Sequence, residues 1–172
     1  MNALKNRKPN RLTDFDYSTS GAYFITICTK EHKCIFSSIC RDSPCGCPKI
    51  KYTELGKIAI NTICDVEEKF NIKIAEFTVM PNHIHMIIII DDNIRTAARA
   101  VPTVSRIVGA YKSIVSYEYL KVCKNKGINM GIIWQKSFYD HIIRDEEDYI
   151  IKAQYIKNNP VKWLEDKYYT KN

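Results

Sequence analysis

The sequence lacks any apolar run long enough to cross a membrane. The longest strongly apolar run in its 172 residues is Met86–Ile90, whereas a membrane-spanning helix needs about 20 apolar residues. The first twelve residues are polar and basic, with no apolar stretch behind them, so we expect no secretory signal. The chain also has no internal repeat and no low-complexity tract. Its length and its 45% hydrophobic content predict one folded domain rather than a disordered chain.

Paired Cys-x-x-Cys motifs are absent as well. The seven cysteines are an odd number, and we expect Cys28 and Cys64, which lie in apolar patterns, to be small buried residues. Together with the lack of a secretory signal, this predicts a reduced, cytoplasmic protein. A zinc-stabilised interaction module remains an alternative, although its spacing lacks the usual zinc knuckles. Its ligands would be Cys34, Cys40, Cys45 and Cys47.

Acidic residues are scarce in two parts of the chain. Overall, 26 Lys and Arg oppose 19 Asp and Glu, for a net charge of +7. The first twelve residues contain no acidic side chain, and the stretch from 95 to 126 has seven basic residues against one acidic residue. This asymmetry predicts one positive face that binds nucleic acid. The residues proposed to contact DNA are Lys5, Arg7, Lys8, Arg11, Arg106 and Lys112.

Hydrophobic periodicity predicts the order β-α-β-β-α-β-α. Strands are expected at 21–29, 72–80, 83–91 and 134–144, and helices at 53–70, 103–123 and 145–159. Residues 30–50 are expected to form a loop. The first six elements match the split β-α-β, or ferredoxin-like, arrangement. We therefore predict an α+β fold with an antiparallel sheet and an extra C-terminal helix. The predicted divisions are a basic arm (1–20), one domain (21–165) and a tail (166–172).

The sharpest local motif is a pair of histidines at the start of an Ile-rich strand. Side chains two residues apart on a strand point to the same side, so His83 and His85 can converge on one divalent ion. Histidine is the commonest metal ligand. The alternative is two surface histidines beside a turn.

The last predicted helix offers further groups to such a site. Tyr155 and Asn159 are four residues apart and therefore share one helix face. The Asn carbonyl oxygen suits Mg²⁺ or Mn²⁺, and the Tyr phenol can act as a nucleophile. Ala153 and Ile156 lie on another face and are expected to anchor the helix. A tyrosine in a chain with eleven tyrosines can equally serve only in packing.

Four segments, in order along the chain, carry a resemblance to a known family. Val79-Met-Pro-Asn-His-Ile-His85 resembles the histidine-hydrophobic-histidine (HUH) signature of single-tyrosine transposases. Tyr155-Ile-Lys-Asn-Asn-Pro-Val-Lys-Trp163 is similar to the C-terminal signature of their REP-associated branch. Residues 21–29 and 134–144 also resemble that branch, and the similarity runs in order from about Asn10 to Trp163. The segment Cys40–Cys47 departs from the family pattern and resembles a small insertion.

The resemblance implies a role for each matching residue. His83, His85 and Asn159 would hold a divalent metal, Mg²⁺ or Mn²⁺, and Tyr155 would be the nucleophile that forms a 5′-phosphotyrosine. The implied partner is single-stranded DNA with a hairpin at repeat ends. The basic arm would read a guide sequence beside that hairpin. Lys152 and Lys157 are candidates to activate the tyrosine.

Two questions stay open at the level of the sequence. The first is whether the chain is a nicking-and-joining transposase or a non-catalytic ferredoxin-like module that binds single-stranded nucleic acid. The second is whether it is a monomer or a homodimer with shared active sites. The Asn159 signature resembles the branch that is more monomeric and favours the monomer.

Overall fold

The computed structural model of the protein describes residues 20–40, 48–91 and 102–170. Within these ranges the chain forms six strands and three α-helices. The strands are β1 (Gly21–Cys28), β2 (Ser37–Cys40), β3 (Lys49–Tyr52), β4 (Lys73–Val79), β5 (His83–Ile90) and β6 (Tyr139–Ile143). The helices are α1 (Glu54–Phe70), α2 (Val104–Asn125) and α3 (Glu146–Asn158).

Four of the strands form one antiparallel sheet in the order β4-β5-β1-β6. With α1 between β1 and β4 and α2 between β5 and β6, this is the predicted ferredoxin-like arrangement. The Ile-rich β5 lies between two neighbours, as the prediction of a central strand required. The break at Pro81-Asn82 turns β4 into β5, closed by a hydrogen bond from Met80 N–H to His83 O of 2.8 Å.

Two sequence-based assignments were wrong in detail. Residues 30–50, expected to be a loop, contribute β2 and β3, which pair with each other outside the main sheet. Their short, polar, half-exposed sequences carry no strong strand pattern. The last strand covers only the second half of the predicted 134–144 segment, and Trp134 makes one isolated bridge with Thr29.

The two faces of the sheet bury different elements. On one face, even-numbered residues of β5 such as Ile84 and Met86 join α1 and α2 in the larger core. On the other face, Phe24 and Ile87 pack against α3. Because side chains alternate along a strand, His83 and His85 face the same side as Ile87. The histidine pair therefore lies on the α3 side of the sheet.

The helices begin where their capping residues predict. The Thr53 hydroxyl accepts a hydrogen bond from Gly56 N–H at 3.1 Å, as expected of an N-cap. Cys28 is buried as predicted, but Cys64 is exposed because α1 turns it toward solvent between the buried Ile63 and Val66. Among the described helices, including the 22-residue α2, none is both long and apolar enough to cross a membrane.

Candidate metal and nucleophile site

His83 and His85 lie at the start of β5, on the side of the sheet that α3 covers. Their ring centroids lie 4.5 Å apart, and their side chains are buried, at 0% and 1% exposure. Opposite them on β1 lie Cys28 and Thr26, respectively. The strand register thus places two imidazoles side by side in the protein interior.

Each imidazole is oriented by a hydrogen bond at Nδ1. His83 Nδ1 lies 2.9 Å from Oδ1 of Asn82, and His85 Nδ1 lies 2.9 Å from Oγ1 of Thr26. A carboxamide oxygen only accepts, so we assign the proton of His83 to Nδ1, and we assign the same tautomer to His85. This leaves the lone pair of each Nε2 available, as in metal sites where the other ring nitrogen donates to a protein group.

Burial keeps both imidazoles neutral. It lowers the pKa of His83 to about 4, against the opposing influence of the negative charge of Asp166. Burial, and then the neighbouring His83, hold the pKa of His85 well below its ordinary value. Neutral imidazole is the form that binds a metal, so both residues are ready for coordination at neutral pH.

Three buried polar atoms at this site have no hydrogen-bond partner within the described part of the chain. They are Nε2 of His83, Nε2 of His85 and Oδ1 of Asn159. Buried polar atoms are almost always hydrogen-bonded. Three such atoms without hydrogen-bond partners at one site therefore need an explanation. Two imidazole nitrogens and an amide oxygen suit a divalent ion. The residues present therefore fit a metal, and they are the three ligands that the sequence resemblance implied.

Helix α3 presents Tyr155 and Asn159 to the histidines, as their four-residue spacing predicted. The Tyr155 ring centroid lies 5.2 Å from that of His85. Asn159 is buried, whereas Tyr155 is 39% exposed, so an external substrate can reach the tyrosine. Ala153 and Ile156 anchor the helix in the smaller core, as expected.

Asp166 also belongs to this site, and sequence reasoning placed it in a tail. Its Oδ2 accepts hydrogen bonds from Tyr155 Oη at 3.2 Å and from Asn159 Nδ2 at 3.0 Å. With the two histidines it forms a group whose potential ligand atoms lie within 4.8 Å of one another. No periodic pattern links Asp166 to α3, because the chain turns after the helix. Two adjacent carboxylates, Glu165 and Asp166, follow the Tyr-to-Trp motif, and nothing in the sequence distinguishes the one that reaches the site.

Tyr155 is protonated in this arrangement. Burial, followed by the charge and hydrogen bond of Asp166, raises the pKa of its phenol to about 12. The two lysines proposed to activate it are engaged elsewhere: Lys157 pairs with Glu76 at 2.8 Å, and Lys152 lies 3.8 Å from Asp148. The hydroxyl of Tyr155 instead donates a hydrogen bond to the carboxylate of Asp166.

Aromatic residues after α3 cover the histidines. The ring centroids of Tyr168 and Trp163 lie 4.8 Å and 6.0 Å from that of His83. Asn82, which orients His83, also donates to the carbonyl oxygen of Tyr168 at 2.7 Å. One residue, Asn82, thus links the imidazole of His83 to the C-terminal segment.

A groove of about 490 Å³ runs beside Tyr155 on the outer surface of α3. Its lining combines the apolar Ile151, the amide of Gln154, the ammonium groups of Lys162 and Lys167 and the carboxylates of Glu165 and Asp166. The exposed part of the tyrosine is therefore reached from this groove.

The structure describes two of the six residues proposed to contact DNA. Lys5, Arg7, Lys8 and Arg11 fall outside the described residues. Arg106 is exposed on α2, across the sheet from α3. Lys112, also on α2, donates to the carbonyl oxygens of Gln135 at 2.9 Å and Ser137 at 3.0 Å. Their roles in DNA binding stay predictions.

The cysteines proposed as zinc ligands can be followed only in part. Cys34 and Cys40 are free thiols, and Cys45 and Cys47 fall outside the described residues. The Sγ of Cys34 lies 3.4 Å from the hydroxyl oxygen of Thr170. The zinc module stays an untested alternative.

Known proteins resemble this chain over most of its length. The model of a family described as IS200-like transposases matches residues 18–159. A Haemophilus influenzae protein without an assigned function is 30% identical in an alignment of 181 residues. The alignment covers 96% of this chain and 94% of the relative. A second protein of that organism, named as a candidate REP-associated tyrosine transposase, is 26% identical over 153 residues, or 86% of this chain and 74% of that protein.

A solved structure has the same fold. It is described as a REP-associated tyrosine transposase bound to a REP hairpin, and it matches with a TM-score of 0.51 at 20% identity. The match covers 95% of this chain and 74% of that one. The two chains therefore share the fold described above.

Proposed function

The chain belongs to the family of IS200-like transposases, and from this premise we propose that it is a metal-dependent enzyme that cuts and rejoins single-stranded DNA. Tyr155 is the nucleophile, and His83, His85 and Asn159 hold Mg²⁺ or Mn²⁺. The substrate is a strand with a hairpin at a repeat end. The competing function is a non-catalytic module that binds single-stranded nucleic acid.

One observation carries the proposal. The Nε2 atoms of His83 and His85 and the Oδ1 atom of Asn159 are buried without partners, and the ring of Tyr155 lies beside them. A binding module has no need of buried, unpartnered ligand atoms, each of which costs about 1–3 kcal/mol. An enzyme that positions a metal next to a nucleophile needs that arrangement.

The metal, when bound, supplies a Lewis acid that polarises and orients the scissile phosphate. The side chains of the protein hold the metal and supply the nucleophile. His83 and His85, fixed by Asn82 and Thr26, keep the site rigid. Tyr155 presents its phenolic oxygen at the edge of the groove, where the phosphate approaches.

Cleavage is an exchange of one phosphate ester for another. The phenolic oxygen of Tyr155 attacks phosphorus and loses its proton, while the bond from phosphorus to the 3′-oxygen breaks and that oxygen takes up a proton. The products are a 5′-phosphotyrosine and a free 3′-OH. A second 3′-OH can reverse the step and release Tyr155, so strands are rejoined without a nucleotide cofactor.

Partner and assembly follow from the same observations. A hairpin is bound by the solved transposase of similar fold, and the basic residues of this chain suit phosphates.

His85 and Tyr155 of a single chain lie together, so one copy supplies all the proposed residues. This supports a monomer, in line with the Asn159 signature.

The test is a covalent adduct on a denaturing gel. The protein is incubated with Mn²⁺ or Mg²⁺ and labelled single-stranded hairpins from repeats that flank its gene. We expect an adduct from wild type and from Tyr149→Phe, a matched control on the same helix, and none from Tyr155→Phe or His83→Ala. Salt-sensitive hairpin binding by all four proteins without any adduct would favour the non-catalytic module.

A further inference from the structure

We propose that Asp166 is a positioning residue that couples the metal ligand Asn159 to the nucleophile Tyr155. The inference rests on the proposed function and adds a residue to its site. A single carboxylate oxygen, Oδ2, accepts hydrogen bonds from Asn159 Nδ2 and from the Tyr155 hydroxyl. Through these two bonds, one side chain sets the orientation of both groups.

The carboxylate is itself held in place. Its other oxygen, Oδ1, accepts a hydrogen bond from the backbone N–H of Tyr168 at 2.6 Å. The carbonyl oxygen of Tyr168 in turn accepts from the buried Asn82, whose side chain orients His83. Asp166 is therefore fixed from the backbone side and can impose its geometry on the two groups that donate to it.

Asn159 needs such a partner because its amide can face the histidines in two ways. One orientation points Oδ1 toward His83 and His85 and offers a ligand, whereas the other points the NH₂ group there and offers none. The bond from Nδ2 to Asp166 selects the first orientation, and Oδ1 is left buried and unpartnered. The amide becomes a preformed metal ligand.

Tyr155 needs a partner for a different reason. Its ring packs edge-on against Phe24 and His85, but the side chain is more than one-third exposed. These ring contacts alone leave the hydroxyl less restricted than a buried group would be. Its bond to Asp166 brings the phenolic oxygen to the same carboxylate oxygen that orients the metal ligand. Holding a nucleophile in one geometry beside the site saves entropy during attack.

Direct coordination of the metal by Asp166 is the competing role. The group of His83, His85 and Asp166 has a spread of up to 4.8 Å, while opposite ligands of one Mg²⁺ lie about 4.2 Å apart. Both oxygens of Asp166 already accept hydrogen bonds in the structure. Positioning requires no movement of these atoms, and the experiment separates the two roles.

The test measures Mn²⁺ binding to the full chain by calorimetry, with no DNA present. We expect Asp166→Ala to bind Mn²⁺ about 10–100-fold more weakly than wild type, as is typical when a group that orients a ligand is lost. Asp166→Asn keeps one oxygen that can accept from Tyr155 and Asn159, but it turns an NH₂ group toward the N–H of Tyr168. We therefore expect its Mn²⁺ affinity to lie between those of wild type and Asp166→Ala. Glu165→Gln, which removes the neighbouring carboxylate of the same groove, should bind like wild type.

The outcomes are distinct. If wild type binds no Mn²⁺, the proposed function fails. If wild type and Asp166→Ala bind equally, Asp166 positions nothing. If Asp166→Asn is as weak as Asp166→Ala, an accepting oxygen beside Tyr155 and Asn159 does not restore the site, and the positioning role is overturned.

A second variant protects the test against a folding defect. Asp166→Glu keeps the charge but displaces the carboxylate by one methylene, so we expect it also to bind Mn²⁺ more weakly than wild type. Thermal unfolding identifies any variant that is not folded. If a folded Asp166→Glu variant binds Mn²⁺ as tightly as wild type, the position of the carboxylate does not control metal binding, and the positioning role is contradicted.

Discussion

Oγ1 of Thr26 lies 2.9 Å from Nδ1 of His85, directly across the pairing of β1 with β5. The same histidine is flanked on its other side by Thr78 of β4. The hydroxyl of Thr78 instead contacts the sulfur of Met80 at 3.9 Å. Two threonines therefore flank one proposed ligand, and only one of them orients it.

Replacing Thr26 with the isosteric Val should weaken metal binding. The change removes the partner of His85 Nδ1 and leaves the ring free to turn, so we expect Mn²⁺ affinity to fall about 10-fold or more. Thr78→Val makes the same chemical change on the opposite neighbour and should leave the affinity unaltered. Calorimetry on the two variants provides the measurement, and equal losses in both would contradict an orienting role for Thr26.

The stability of the metal-free protein should depend on pH through the buried histidines. The pKa of His83 is lowered from 6.5 to about 4 in the folded state. Between these values the unfolded chain binds a proton that the folded chain does not, so the free energy of unfolding falls as the pH falls. For His83 alone the full effect is on the order of 3 kcal/mol.

Urea unfolding in the presence of EDTA, at pH values from 7 to 4.5, measures this dependence. His83→Gln removes one of the two buried imidazoles and should give a shallower dependence. An equally steep dependence in His83→Gln would show that His83 is not the source of the effect.

The sequence predicted the strands of the sheet better than it predicted residues such as Asp166 that lie beyond α3. The alternation around the Ile-rich β5 and the helical spacing in α1 and α2 depend on burial, which periodicity reports directly. The same rules placed Tyr155 and Asn159 on one face of α3. Asp166 was missed because its position depends on how the chain turns after α3, and Cys64 was misplaced because the apolar pattern around it did not fix which residues face solvent.

Local hydrogen bonds were also beyond the reach of periodicity. Thr26 is one buried strand residue among several, and nothing in its neighbours indicates that it meets His85. The meeting follows from the register of β1 on β5, which is fixed only when the sheet assembles. Motifs alone were enough to propose His83 and His85 as ligands, whereas the hydrogen bond of Thr26 to His85 required the fold.

The attachment of α3 to the sheet should control the position of the nucleophile. Only Ala153 and Ile156 of this helix are buried, so Ile156 supplies most of the anchoring surface. Ile156→Ala should lower the free energy of unfolding by about 2–4 kcal/mol and reduce adduct formation by Tyr155. Ile151→Ala, on the exposed side of the same helix, should change the unfolding free energy by less than about 0.5 kcal/mol.

Urea unfolding and the gel assay measure these two effects on the same samples. Full activity in a destabilised but folded Ile156→Ala would show that Tyr155 keeps its position without this anchor. The contacts remaining to hold it would then include the bond to Asp166 and the ion pair of Lys157 with Glu76.

Arg106 and Lys112 of α2 should differ in their contribution to DNA binding. Arg106 is exposed, and its replacement by Gln should weaken hairpin binding and reduce the slope of log affinity against log salt by about one. Lys112 is bonded to the carbonyl oxygens of Gln135 and Ser137, and burial lowers its pKa. Lys112→Gln should therefore act mainly by lowering the free energy of unfolding, since it leaves these carbonyl oxygens without their charged donor. Hairpin affinity measured at several salt concentrations separates the two residues, and an equal loss of slope in Lys112→Gln would assign Lys112 to the phosphate-binding surface as well.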